Sequence, residues 1–192
     1  MSTKPRIRIS PEEYLALERR ADGRSEWVDD EVFALAGASF VHSLITGNVV
    51  AALKPRLRGR GCTVHPSDLR VHVERGGMYY YPDVVVVCGP PQFVDGEKDT
   101  VTNPTLVVEV LSPSTEGWDR GAKFARYRRL DSLREVLFVA QDQIRVERYL
   151  RQPDGFWLLA EYGEETGDVI ISTLDVLLPL AEVYEGVAFP KT

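Results

Sequence analysis

The stretch MYYYPDVVVVCGPP, residues 78–91, places a single acid, Asp83, between Pro82 and four valines. The valines are β-branched and apolar, as in a buried strand. An ionised carboxylate at the mouth of such a strand is costly unless a partner meets it. Asp83 therefore either caps a turn or pairs with a nearby Arg, or else it belongs to a group of residues converging on one place. TLVVEVLS (105–112) repeats the pattern, with Glu109 inside an apolar run. If the two strands are antiparallel neighbours, the start of one lies beside the end of the other. Two carboxylates then meet at one edge of a sheet. Buried acids at close range raise each other's pKa unless a cation sits between them. A hard divalent ion, Mg²⁺ or Mn²⁺, held by carboxylate oxygens and water, is the natural cation.

The third element of this group follows the Glu109 strand. EGWDRGAKFARYRRL (116–130) reads as a helix, weakened at Gly121 by about 1 kcal/mol relative to Ala. Asp119, Lys123 and Tyr127 are spaced by four and share one helix face. Asp119 and Lys123 form either an exposed ion pair of small worth or part of the site. In the second case the chain leaves the strand through Ser112-Pro113 and folds back over the strand end. Lys123 then reaches the acids, where an ammonium can position water and stabilise charge on a phosphate.

Around this group the chain reads as one domain, residues 1–192, in which nothing repeats and no linker divides the sequence. Ser10-Pro11-Glu12-Glu13 is a helix start, with Ser as N-cap and Glu three residues later, and the helix extends to about Arg20. SEWVDDEVFALA (25–36) reads as two short strands turning at Asp29-Asp30. A second helix is expected from Ser39 to Leu57, then a strand over 62–74 and a turn at Arg75-Gly76-Gly77. The strand from Tyr79 to Cys88 is kinked at Pro82, and residues 89–104 read as a loop. REVLFVAQD (134–142) is a buried strand, and RVERYLRQ with FWLLAEY makes a hairpin. The order α-β-β-α-β-β-β-α-β-β-β predicts an α/β or α+β domain around a mixed sheet.

Composition narrows the function classes. Of 192 residues, 44% are hydrophobic and 27% charged, as in an ordinary soluble globular protein. No apolar run approaches the roughly 20 residues that span a bilayer, and MSTKPRIRIS lacks an apolar signal core. Cys62 and Cys88 are too few for a disulfide framework, and Cys88 ends the valine run like a buried thiol, so a cytoplasmic setting is expected. The formal charge of −6 argues against a protein that coats nucleic acid through bulk positive charge. KPRLRGRG (54–61) and RGAKFARYRR (120–129) are nevertheless locally basic, either as solvated helix faces or as contacts. A metal-dependent site needs acids, so an acidic total does not exclude a nucleic-acid substrate. Cys62-Thr63-Val64-His65 lacks a second pair at zinc spacing, and no Walker loop, dinucleotide fingerprint or serine elbow is present.

YPDVVVV, then NPTLVVEVLSPSTEGWDRGAKFARYRRL, then EVLFV, resemble the Uma-two family of the PD-(D/E)XK nuclease-like superfamily. The resemblance runs from about Ser10 to LPLAEVYEGV (178–187). It implies a restriction-endonuclease-like fold, with a central mixed sheet flanked by helices, in which Asp83 and Glu109 are the motif acids. The superfamily lysine belongs two positions after Glu109, where this chain has Leu111; the resemblance makes Lys123 its migrated replacement. Glu26 matches an acid of the family's first hairpin, and His42 matches a histidine on the following helix. Asp68 either lines the site or ends a turn. The function implied is Mg²⁺- or Mn²⁺-dependent hydrolysis of DNA, the Val110 carbonyl being a further candidate ligand. Arg126, Arg128 and Arg129 are candidates for phosphate contacts, and double-strand cleavage would need a homodimer or two encounters. The rival readings are a non-catalytic nuclease-fold module that binds nucleic acid or protein, and hydrolysis of RNA or another phosphodiester.

Overall fold

The structure, a computed structural model, describes residues 8–74 and 77–189. The N-terminal stretch before residue 8 and the first two residues of the Arg75-Gly76-Gly77 turn lie outside the described residues.

Local signals explain most of the first elements. Helix α1 (Pro11–Glu18) starts with a full capping box: the Glu13 N–H donates to Ser10 Oγ at 3.2 Å, and the Ser10 N–H donates to Glu13 Oε2 at 2.9 Å. Strands β1 (Ser25–Val28) and β2 (Glu31–Ala34) form the expected hairpin. Asp29 and Asp30 turn it with φ of 51° and 67°, the left-handed pair that a two-residue hairpin needs. Helix α2 (Phe40–Arg56) is N-capped by Ser39, whose Oγ accepts the His42 N–H.

The next segment departs from expectation. The run 62–74 is two strands, β3 (Cys62–Pro66) and β4 (Arg70–Val73), and 78–88 is two more, β5 (Met78–Tyr80) and β6 (Val84–Cys88). The members of each pair lie in different sheets. The chain crosses from one sheet to the other after Pro66 and returns through Tyr81-Pro82-Asp83. Each proline lacks the N–H that would continue a ladder, so pairing stops there. Inside the expected loop, β7 (Thr100–Val101) pairs in parallel with β4.

The Glu109 strand is β8 (Leu106–Leu111). The helix expected after it is broken into α3 (Glu116–Trp118), a widened turn over Asp119–Lys123, and α4 (Phe124–Tyr127). In the widened turn the Phe124 N–H reaches back to the Asp119 carbonyl, five residues away, a π-type bulge. Gly121 inside it lowers the resistance to this distortion. The remaining elements are β9 (Glu135–Ala140), β10 (Arg145–Arg151), β11 (Trp157–Gly163), β12 (Val169–Ile171), β13 (Val176–Leu178) and α5 (Leu180–Val183). The β10–β11 hairpin was expected; the β12–β13 hairpin and α5 were not.

The larger sheet has the order β11-β10-β9-β8-β6-β3 and the smaller the order β2-β1-β5-β4-β7. In the larger one β6 and β8 are antiparallel, with Val84 opposite Val108, while β8 and β9 run parallel. Strand alternation sorts its two faces. Val84, Val86, Leu106, Val108 and Val110 pack with α2, α5 and the β12–β13 hairpin. Val85, Val87, Val107 and Leu111 pack with Phe124, Tyr127 and the smaller sheet. A third cluster, Tyr14, Leu15, Trp27 and Tyr79, fastens α1 to the smaller sheet.

Cys62 and Cys88 stand opposite each other on β3 and β6 and form a disulfide. The reading of Cys88 as a buried free thiol is thereby corrected: cross-strand register, invisible in the separation of the two cysteines along the chain, brings them together. No helix among the described residues is long and apolar enough to cross a membrane.

Candidate active site

The β6–β8 register settles the question raised by Asp83. Val84 opposite Val108 sets Asp83 next to Glu109 across an antiparallel pair of interior strands, at the strand ends where the chain returns from the smaller sheet. A cleft of about 590 Å³ opens there. Asp83, Glu109, Lys123, Glu26, His42 and Asp119 all line it. Tyr127 stands behind Glu109, fully buried.

The side chains lock one another. Asp83 Oδ2 accepts the Val110 N–H at 2.7 Å and lies 3.2 Å from His42 Nε2. Glu109 Oε1 accepts the Tyr127 hydroxyl at 2.6 Å and lies 2.8 Å from Lys123 Nζ. The same ammonium is 3.4 Å from Glu26 and 3.7 Å from Asp119. Glu26 Oε1 also accepts the Tyr81 N–H, which joins the smaller sheet to the site. Lys123 lies over the rings of Tyr80 and Tyr127, at 5.5 and 5.9 Å. The ammonium thus enters from the helix on the Leu111 face of β8, and Leu111 itself fills the apolar cluster behind it.

The electrostatics are those of too many acids in a small space. Four carboxylates line the cleft against Lys123, His42 and Arg24, and Arg24 is already paired with Asp68. Burial raises the Glu109 carboxyl against the opposing pull of Lys123, and the charges of Asp119 and Asp83 push it further up. Burial alone would discharge Lys123, but Glu109, Glu26 and Asp119 hold it well above an ordinary lysine. Burial lowers His42, yet its hydrogen bond to Asp83 and that residue's charge raise it overall.

Other expected residues fall elsewhere. Asp68 ends a turn: its carboxylate is 83% exposed, pairs with Arg24 and is no part of the cleft lining, where Ser67 stands instead. Arg126 is engaged within the protein. It pairs with Asp29 at 2.5 Å and lies 5.2 Å over the Trp118 ring. Arg128 covers Phe124 at 5.1 Å, and neither it nor Arg129 lines the cleft. Arginines crowded on a broken helix face several ways, which even spacing does not show.

Several lining residues gave no sequence signal. Gln141 follows β9, the parallel neighbour of the Glu109 strand, and accepts a hydrogen bond from Ser39 at 3.0 Å. Its place just past a strand end beside β8 was the available clue. Trp118, Tyr81, Ser43 and Thr46 also line the cleft.

This sheet, with its paired strand-edge acids and a lysine returning from the next helix, has the restriction-endonuclease-like fold. The chain belongs to the Uma2 family, whose model, described as "Putative restriction endonuclease", matches residues 11–181. The "Uncharacterized protein sll1609" of Synechocystis sp. is 36% identical over 168 residues, which is 88% of this chain and 95% of that protein. A second Synechocystis sp. relative, "Uncharacterized protein slr1290", is 34% identical over 187 residues and 96% of each chain. Among solved structures, a "putative nuclease belonging to DUF820" from Anabaena variabilis superposes with a TM-score of 0.75 at 15% identity. The superposition covers 94% of this chain and 99% of that one, a likeness of fold.

Proposed function

We propose that this chain is a Mg²⁺-dependent endonuclease that hydrolyses DNA phosphodiester bonds in the cleft around Asp83, Glu109 and Lys123. The observation that carries the reading is the Lys123 ammonium, buried and 2.8 Å from Glu109, in a chain whose superfamily lysine position is Leu111. A surface ion-pair lysine has no reason to be in that place.

The donor set suits the metal. Asp83 and Glu109 bring hard oxygens to one sheet edge where acids outnumber cations. Among the described residues no cluster of three or more His, Cys, Asp and Glu forms a cage for an ion. Mg²⁺ does not require one, since it keeps several waters and takes one or two carboxylates plus substrate phosphate. Asp83 and Glu109, with the Val110 carbonyl, would hold the ion, which when bound polarises the phosphate and makes its water more acidic.

The chain's own groups do the rest. Tyr127 and Lys123 both donate to Glu109 Oε1, which fixes the rotation of that carboxylate. The Val110 N–H and His42 do the same for Asp83. Lys123 orients the attacking water and stabilises the negative charge that builds on the phosphate. The water oxygen bonds to phosphorus as the bond to the leaving sugar oxygen breaks, and the water's protons pass to solvent and to that oxygen. One site cuts one strand, so double-strand cleavage calls for a homodimer or a second encounter. The setting we infer is the cytoplasm, from the DNA substrate alone, since the Cys62–Cys88 disulfide removes the free-thiol argument for it.

A cleavage assay over supercoiled, linear duplex and single-stranded DNA and RNA, with Mg²⁺, Mn²⁺ or chelator, tests the reading. Metal-dependent cleavage of DNA that chelator abolishes supports it. Absence of cleavage on every substrate with either metal favours the non-catalytic module, and cleavage of RNA alone changes the substrate.

A further inference from the structure

Arg126 and Arg128, expected to meet phosphate, are engaged by Asp29, Trp118 and Phe124, and this bears on the kind of DNA the cleft suits. Proteins that track duplex DNA offer rows of unpaired Lys and Arg to its backbone. Here Arg126 is neutralised by Asp29, Arg24 by Asp68, and acids exceed cations in the cleft. A volume of about 590 Å³ is that of a small-ligand site, with room for about one or two nucleotides and not for the width of a duplex. A duplex can present only its backbone at the mouth of such a cleft, whereas a single strand can bring a base into it together with the phosphodiester that reacts at Glu109 and Lys123.

The lip of the cleft carries a surface for such a base. Trp118 lines the cleft and is 40% exposed, with the Arg126 guanidinium stacked 5.2 Å from its ring. Asp29, at the turn of the β1–β2 hairpin, holds Arg126 in that position. The indole is thus backed by a fixed cation, an arrangement that keeps a large apolar ring in place while one side remains open. The small residues Ala36, Gly37 and Ala38 also line the cleft, and Phe40, just beyond them in sequence, is 81% exposed. Along the lining, Ser43, Thr46 and Gln141 offer neutral hydrogen-bonding groups of the kind that meet base edges.

We propose that the cleft takes unpaired, single-stranded DNA and that Trp118 is its base-stacking platform. The proposal rests on the nuclease reading for the choice of DNA, but binding tests it without cleavage. The protein is titrated, with Ca²⁺ in place of Mg²⁺, into a fluorescein-labelled oligothymidylate and into a duplex of the same length. The single strand should bind about 10-fold tighter or more and quench tryptophan emission, since each stacked base is worth on the order of one decade of affinity. Trp118→Ala should weaken single-strand binding by about 10-fold. Trp118→Phe should keep it within about threefold while losing the quench, because Trp27 is buried and Trp157, half-buried on β11, does not line the cleft. Equal affinity for duplex, wild-type affinity in Trp118→Ala, or a quench that persists in Trp118→Phe overturns the proposal. Intact single-strand preference without cleavage under any metal overturns the nuclease reading instead, and equal cleavage of duplex and single strand overturns this proposal alone.

Discussion

Replacing Lys123 by Met removes a charge that three carboxylates surround. At an effective dielectric of about 20, the 2.8 Å contact with Glu109 and the 3.4 Å contact with Glu26 correspond to about 6 and 5 kcal/mol of gross attraction. Burying the ammonium costs several kcal/mol, so the pair's net worth is small, but breaking it strands buried acids at a cost of about 3–5 kcal/mol. That loss depends on pH in a defined direction. Burial already raises Glu109, and Lys123 is the main influence holding it down, so its folded-state pKa rises further in the variant. A carboxyl raised in the folded state stabilises below its unfolded pKa and loses that contribution as pH rises through the folded one. Lys123→Met should therefore be about 3–5 kcal/mol less stable than wild type at neutral pH and close to it near pH 4. Urea unfolding at the two pH values measures this. Under conditions where both proteins are folded, cleavage should fall by a factor of about 100 or more, as on losing one preorganised electrostatic group. A stability loss below about 1 kcal/mol at neutral pH together with full cleavage would refute the role given to Lys123.

Three further outcomes follow from the geometry. Asp83→Asn keeps an acceptor for the Val110 N–H but loses the charge, so calorimetry should find Mn²⁺ binding lost while stability in chelator stays level or rises; a large stability loss with binding retained would make Asp83 a cap. Tyr127→Phe removes the hydroxyl that donates to Glu109 at 2.6 Å and leaves the ring packed on Tyr80, so thermal unfolding should show a loss of about 1–3 kcal/mol with a drop in cleavage. Asp99 is pushed down to about 2, chiefly by its hydrogen bonds from Arg19, so its contribution is present above its unfolded value of 3.8 and fades as pH falls toward 2. Solvent screens this partly exposed pair, and Asp99→Asn should flatten the acid limb of the stability profile only modestly.

The two acids were legible because each breaks an apolar strand, and a carboxylate in such a place demands a partner whatever the fold. Lys123 was legible through its spacing from Glu109 and the turn at Ser112-Pro113. The passage between sheets was not. Tyr80 and Val84 continue one alternation across Pro82, so sequence shows a kink where the chain in fact changes sheet. That change matters to function, because both crossovers line the cleft and Asp83 ends the second. Strands β12 and β13 are three residues each, too short for periodicity to register. The Cys62–Cys88 bridge follows from the register of β3 and β6 alone. What Arg126 and Arg128 meet was not legible, because charge density along the chain says nothing of pairing with Asp29 or of contact with Trp118 and Phe124, which are tertiary facts.

The central claim is that Asp83 and Glu109 together hold one divalent ion at the edge of the β6–β8 pair. Anomalous diffraction from crystals grown with Mn²⁺ addresses it without reference to rate or substrate. The account predicts one strong peak about 2.0–2.2 Å from an oxygen of each carboxylate, absent from crystals of Asp83→Asn. An empty cleft at saturating Mn²⁺, or a peak bound elsewhere while Lys123 stays locked between Glu109 and Glu26, would contradict it.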